Sequence, residues 1–175
     1  MPENNSSWYK PNPSSKGHFV GLQFNSKDSR LFLEIGKQTG WANGKGSFSG
    51  GRKCSMALNA KEIGGILSAI SSLKAVPLAN EKATLYPVYR KYGSVHPTEK
   101  RTLNYTFSAY ELPDKTLKGL SLKVFEAPKD NPENKASFTF WWDLDEMMQL
   151  EQYLQFVFTH FFSSDYSANK AAALQ

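Results

Sequence analysis

The chain has 175 residues, of which 21 are Lys or Arg and 16 Asp or Glu, giving a formal net charge of +5. That length suits one domain, or two intimately packed half-domains, and a hydrophobic share of 40% can fill a sizeable core. No apolar run approaches the roughly 20 residues that span a bilayer, the first residues lack the apolar stretch of a signal peptide, and the single cysteine, Cys54, excludes an internal disulfide. No membrane partner is expected, and an intracellular, reducing compartment is.

Residues 1–15, rich in Asn, Ser and Pro, predict a flexible arm. On it, Trp8, Tyr9 and Lys10 read either as a tethered stacking group or as an anchor onto the body or a neighbouring subunit. His18–Phe24 predicts a strand with Val20, Leu22 and Phe24 on one face, and 25–29 a turn. Arg30–Gln38 predicts the next strand, with Leu31, Leu33 and Ile35 inward and Arg30, Phe32 and Glu34 outward. Residues 39–51 form a glycine-rich excursion holding Trp41, Lys45 and Phe48. Its glycines permit hairpin turns and close approach of a ligand backbone, but no GxxxxGK[ST] phosphate loop is present.

The stretch from Arg52 to Ile70 is the most telling. Cys54, Met56 and Leu58 alternate with Lys53, Ser55 and Ala57, the period of a half-buried strand. Asn59 then stands at an N-cap with Glu62 three residues on, the pattern of a capping box. Ile63, Ile66, Leu67, Ile70 and Leu73 follow at helical spacing, and 74–80 reads as a loop. Residues 82–92 predict an edge strand or bulge because of Pro87. Three more strands follow over 100–109, 119–126 and 136–142, led inward by Leu103, Leu120 and Phe138.

A last helix is predicted from about Asp145 to Phe162, with Asp143 or Asp145 near its cap. Met147, Leu150, Leu154, Val157 and Phe161 define its core face. Met148, Tyr153, Phe156, Phe158 and Phe162 spread apolar surface beyond that face, which predicts a contact between subunits. The closing AAALQ resembles a vector-derived tail, so disorder is expected over 166–175.

Strands, helix, strands, helix is an α+β layout, and it resembles the whirly fold. That fold is shared by plant whirly proteins, kinetoplastid guide-RNA-binding proteins and, at half size, transcriptional positive cofactor four; phage single-stranded-DNA-binding proteins of the cofactor type are similar. Lys16-Gly17 resembles the KGK start of the whirly DNA-binding motif, with His18 in place of its second lysine. Leu31–Ile35 resembles the second-strand apolar run. Arg52-Lys53, then Ser55, Leu58 and Glu62-Ile63-Gly64, resembles the RK…SLS…EIG passage from strand to helix. Gln155–Phe162 resembles the apolar final helix through which family members assemble. The resemblance implies two antiparallel-sheet units, each followed by a helix, packed as one domain over about 16–165. It also implies a homo-oligomer, dimer or tetramer, with single-stranded nucleic acid along the strand edges.

The residues argue the same way. Residues 1–58 hold eight Lys/Arg against three Asp/Glu and 59–110 seven against three, while 111–175 hold six against ten. A basic first two-thirds predicts a positive surface for a polyanion. Sequence-tolerant binding of single strands needs cations for phosphates and aromatic faces for bases. Lys16, Lys37, Lys45, Arg52 and Lys53 interleave with Phe19, Phe32, Trp41 and Phe48, and Tyr89, Arg90, Lys91, Tyr92, Lys100 and Arg101 repeat the theme. Phe19 and Phe32 oppose the apolar stripes of their strands, so they either stack on bases or pack under the other half.

His18, His96 and His160 fall in separate elements, and Asp143, Asp145 and Glu146 suit a helix N-terminus better than a metal. Neither catalysis, metal nor cofactor is expected. The sequence therefore reads as a single-stranded-DNA-binding protein with little sequence preference, protecting or organising strands in replication, recombination or repair. An RNA-binding, annealing or transcription-cofactor role is the alternative. A scaffold for an acidic protein partner is the alternative from another class.

Overall fold

A computed structural model gives the architecture over residues 5–25, 30–75, 89–93, 101–111, 117–128 and 133–172, with the backbone alone at 89–93, 101 and 163–172. Strands β1 (Asn5–Lys10), β2 (His18–Asn25), β3 (Arg30–Lys37) and β6 (Lys53–Leu58) form one antiparallel sheet in the order β1-β2-β3-β6. Between β3 and β6 stands a small hairpin, β4 (Gly40–Ala42) and β5 (Lys45–Ser47). The first helix, α1 (Ala60–Ala75), follows. Strands β7 (Tyr89–Gly93), β8 (Arg101–Glu111), β9 (Leu117–Pro128) and β10 (Ala136–Asp143) form the second antiparallel sheet, and α2 (Leu144–Ala172) follows it. The α+β layout is thus one plan used twice.

Alternation puts the apolar residues of both sheets on one side each. Val20 faces Ile35, Leu22 faces Leu33, and Leu33 faces Met56 across the first sheet. Phe107, Leu122 and Phe140 form the equivalent row across the second. These inward faces merge with Ile63, Ile66, Ile70 and Leu73 of α1 and Met147, Leu150, Leu154, Val157 and Phe161 of α2 into a single buried cluster. A shared core of that kind makes the halves one cooperative unit.

Both helices start in the same way. The Asn59 side chain accepts from the Glu62 N–H (3.0 Å) and the Glu62 carboxylate accepts from the Asn59 N–H (2.8 Å). At α2, Asp143 and Glu146 exchange the same pair of bonds, at 3.0 and 3.1 Å. Each box satisfies two backbone donors that the first turn leaves orphaned.

Two expectations are corrected at the ends. From Asn5 to Lys10 the anticipated flexible arm is a strand, paired with β2 so that Trp8 faces Val20. Burial explains it: Trp8 sinks into the core edge-on to Trp142, 5.9 Å between ring centroids, and Lys10 forms ion pairs with Glu146 and Asp143. At the other end, α2 carries on to Ala172 through the region expected to be disordered, because residues 163–172 contain no proline or glycine to end a helix. Residues 26–29 of the expected turn 25–29, 76–80 of the expected loop 74–80 and 82–88 of the expected strand 82–92 lie outside the described residues, β2 itself reaching Asn25 and α1 Ala75.

Candidate nucleic-acid interface

The outward face of the first sheet carries an aromatic triad. Tyr9 of β1 and Phe19 of β2 stand opposite each other and stack at 6.0 Å with 24° between their planes. Phe48, just past the small hairpin, meets Tyr9 at 5.5 Å and Phe19 at 5.6 Å, edge-on to both. Phe19 can sit close over β3 because its neighbour there is Gly36: a Cβ at that position would come within 2.3 Å of the Phe19 ring. Lys53 on β6 holds its ammonium 5.3 Å from the Phe19 ring centroid and 3.0 Å from the Glu34 carboxylate.

Exposure divides the triad's roles. Tyr9 is 55% exposed, Phe48 is half-buried, and Phe19 is buried at 7%. Phe19 is therefore the floor under the other two, a correction to its reading as a free stacking group; Phe32, further along the outward face, is half-buried. Trp41 rides half-buried on the hairpin, which turns through Asn43 and Gly44 at φ 52° and 73°, the left-handed pair that suits a two-residue hairpin loop.

The cations sort into two groups. Arg52 donates to the buried Glu126 carboxylate on β9 (3.2 and 3.3 Å) and to the side chain and backbone carbonyl of Asn134. Lys10 is held by Glu146, and Lys74 by Glu151 at 2.7 Å. In each of these pairs the cation comes from the basic first two-thirds and the carboxylate from the acidic last third. Three of the fifteen cations before residue 111 thus fasten one half to the other, which corrects Arg52 from a strand contact to a clasp. Lys16, Lys37 and Lys45 form no ion pair among the described residues. Lys16 and Lys45 are exposed around the hairpin end of the first sheet, and the Lys37 ammonium lies 5.5 Å from the Phe138 ring centroid.

The second half supplies less that can be placed. Tyr89, Arg90, Lys91 and Tyr92 have their backbone on β7, while their side chains, that of Arg101, and all of Lys100 lie outside the described residues. Two outward residues of β9 had no role in the sequence reading: Phe125, 40% exposed, and Lys123, opposite Thr106 and Thr139. Their alternation with Leu122 and Val124 was the available signal. Of the two readings of Trp8 and Tyr9, the structure divides them: Trp8 is the anchor and Tyr9 stands on the outward face beside Phe19. On α2, Met148, Phe156 and Phe162 are exposed, whereas Tyr153 and Phe158 pack against the chain's own core.

No family model matches the chain, and no curated protein matches it in sequence. Among solved structures it is similar to WHY3 of Arabidopsis thaliana, at 18% identity and a TM-score of 0.58, covering 98% of this chain and 96% of that one. It is similar to MRP1/MRP2 of Trypanosoma brucei at 16% identity and 0.58, covering 92% and 86%. A guide-RNA-binding protein complex with guide RNA bound matches at 16% identity and 0.56, covering 87% and 88%.

This is the whirly fold. At such identities the likeness is one of architecture, and the whirly layout of two sheets, each with its trailing helix, is what all three share with this chain. The whirly scaffold leaves the outward sheet faces, the hairpin and the far side of α2 free for function.

Proposed function

We propose that the protein binds single-stranded nucleic acid, DNA in preference to RNA, with little sequence discrimination. Tyr9 and Phe48, propped on Phe19 beside Lys16, Lys37 and Lys45, carry this reading. Aromatic faces accept any base, and lysines follow phosphates without reading sequence. A structural neighbour solved with guide RNA bound supports single-stranded nucleic acid as the ligand class. In this reading the protein covers strands during replication, recombination or repair. It does so as a homo-oligomer, with Met148, Phe156 and Phe162 on α2 meeting a second copy. Several copies on one strand multiply contacts without any new chemistry.

Fluorescence-anisotropy competition tests it. Labelled poly-dT is challenged with RNA of equal length and with duplex DNA at two salt concentrations. Single-stranded DNA is expected to win, with an affinity that falls steeply in salt. Equal affinity for RNA would replace the strand-protecting role by an annealing one, and no binding at low salt would reject the reading. Light scattering of the free protein, with and without Phe156→Glu, tests the oligomer.

A further inference from the structure

A cleft of about 290 Å³ lies where the two sheets meet, lined by Lys16 and His18 at the start of β2, Lys37 at the end of β3, and Ser137 and Thr139 on β10. Its chemistry is one-sided. Among the described residues, no carboxylate lines it. The Lys16 and Lys37 ammoniums have no acidic partner, and the Ser137 and Thr139 hydroxyls form no hydrogen bond, among the described residues. Gln38, which forms the wall, is spent: its Oε1 accepts from the Asn12 and Gly17 N–H groups and its Nε2 donates to the Asn12 and Gly40 carbonyls. The wall is rigid, and the donors left over all point to an anion.

His18 gives the cleft a variable charge. It is half-buried, opposite Lys37 on β3 and opposite Lys10 on β1, and Lys10 is itself engaged by Glu146 and Asp143. Lys16 precedes it by two residues, and β10 presents hydroxyls, with Lys123 of β9 beyond Thr139. Burial, and then the Lys37 charge, hold the imidazole below its ordinary value, so it is neutral at pH 7. An anion seated between His18 and the lysines would reverse the second effect and draw a proton onto the ring.

We propose that this cleft is a phosphate seat whose grip is linked to protonation of His18. Lys16 and Lys37 supply fixed charge, Ser137 and Thr139 donate hydrogen bonds, and His18 adds a third cation when the medium acidifies or the anion arrives. The occupant is a phosphate group, whether a diester within a strand, a strand's terminal monoester or free phosphate. For the first two sources the proposal rests on the single-strand reading above. Mild acid then tightens binding of a strand by way of one side chain.

The test uses the full chain with a dT oligomer, at pH 5.5 and pH 8, in the wild type and in His18→Gln and His18→Lys. The wild type is expected to bind at least about fivefold more tightly at pH 5.5. Both variants should lose most of that dependence, His18→Gln at the weak level and His18→Lys at the tight one. In parallel, NMR titration of the His18 ring with inorganic phosphate should raise its midpoint. At pH 7, preference for a 5′-phosphorylated over a 5′-hydroxyl oligomer assigns the seat to the strand end, and equal binding assigns it to a backbone diester. An unchanged pH dependence in both variants, together with a His18 midpoint that phosphate does not move, overturns the proposal. Failure to bind dT at any pH, with phosphate still raising the midpoint, overturns the single-strand reading and leaves the seat to free phosphate.

Discussion

On the first sheet the outward positions near the hairpin hold Tyr9 and Phe19, with Phe48 laid over them; on the second sheet the outward row across β8, β9 and β10 reads Thr106, Lys123 and Thr139, and beside it Asn104, Phe125 and Ser137. The inward faces, capping boxes and trailing helices are alike, so the scaffold does not dictate the difference. Outward positions of a half-solvated sheet are free to vary without loss of core. One face has become an aromatic shelf suited to bases and the other a hydroxyl-bearing surface suited to phosphates. The lysine-lined cleft sits at their junction.

The sharpest way to break that contrast is to strip the shelf. Tyr9→Ala with Phe48→Ala should lower affinity for poly-dT by about two orders of magnitude, from roughly 1–3 kcal/mol per stacked base. Urea denaturation should show only a modest loss of stability, since Phe19 stays in place. An unchanged affinity would mean that the aromatic face is not where strands lie.

Separating clasp from contact comes next. Arg52→Met removes the guanidinium from the buried Glu126 carboxylate and should cost about 1–3 kcal/mol in urea denaturation. Affinity for poly-dT measured on the folded variant should change less than about twofold, the range expected of a lost long-range charge. A loss as large as that of the stripped shelf would return Arg52 to the strand path.

Smaller again is the expected effect of Phe125→Ala on the second face. A single partly exposed ring should be worth about 1 kcal/mol, or roughly fivefold in Kd. A loss matching that of the double variant would show that both faces carry bases equally.

The smallest effect probes where α2 meets the first sheet, at Tyr153. Burial against that sheet raises its phenol to about 12, partly offset by its bond to the Phe24 backbone. The folded state thus holds this proton more tightly than the unfolded chain does. Its contribution to stability is complete below pH 10 and is lost as pH rises through about 12. Tyr153→Phe should flatten the urea midpoint over that alkaline window.

The sequence made the inward side of this protein legible and its outward side much less so. Period-two runs such as Leu120, Leu122 and Val124, and the box begun by Asn59, depend on neighbours within a few residues. The whirly order of elements follows from them. The partners of Arg52 and Lys10 come from the far end of the chain, 74 and 136 residues away, and no local pattern announces them. The arm was misread for the same reason: Asn5–Lys10 has a disordered composition, and its pairing with β2 and its ties to Trp142 and Glu146 are what make it a strand. Alternation left Phe19 open between a stacking ring and a packed one, because it reports which face a side chain takes, and not what lies on top of it.

Strand β1 spends three consecutive residues on three tasks: Trp8 enters the core, Tyr9 joins the shelf, and Lys10 reaches the cap of α2. Two of those ties run to residues far along the chain. Pairing of β1 with β2 is local, but its core anchor and its link to α2 must wait for Trp142 and Glu146. High contact order of this kind slows folding. It also fastens the shelf's first strand to the opposite half of the molecule.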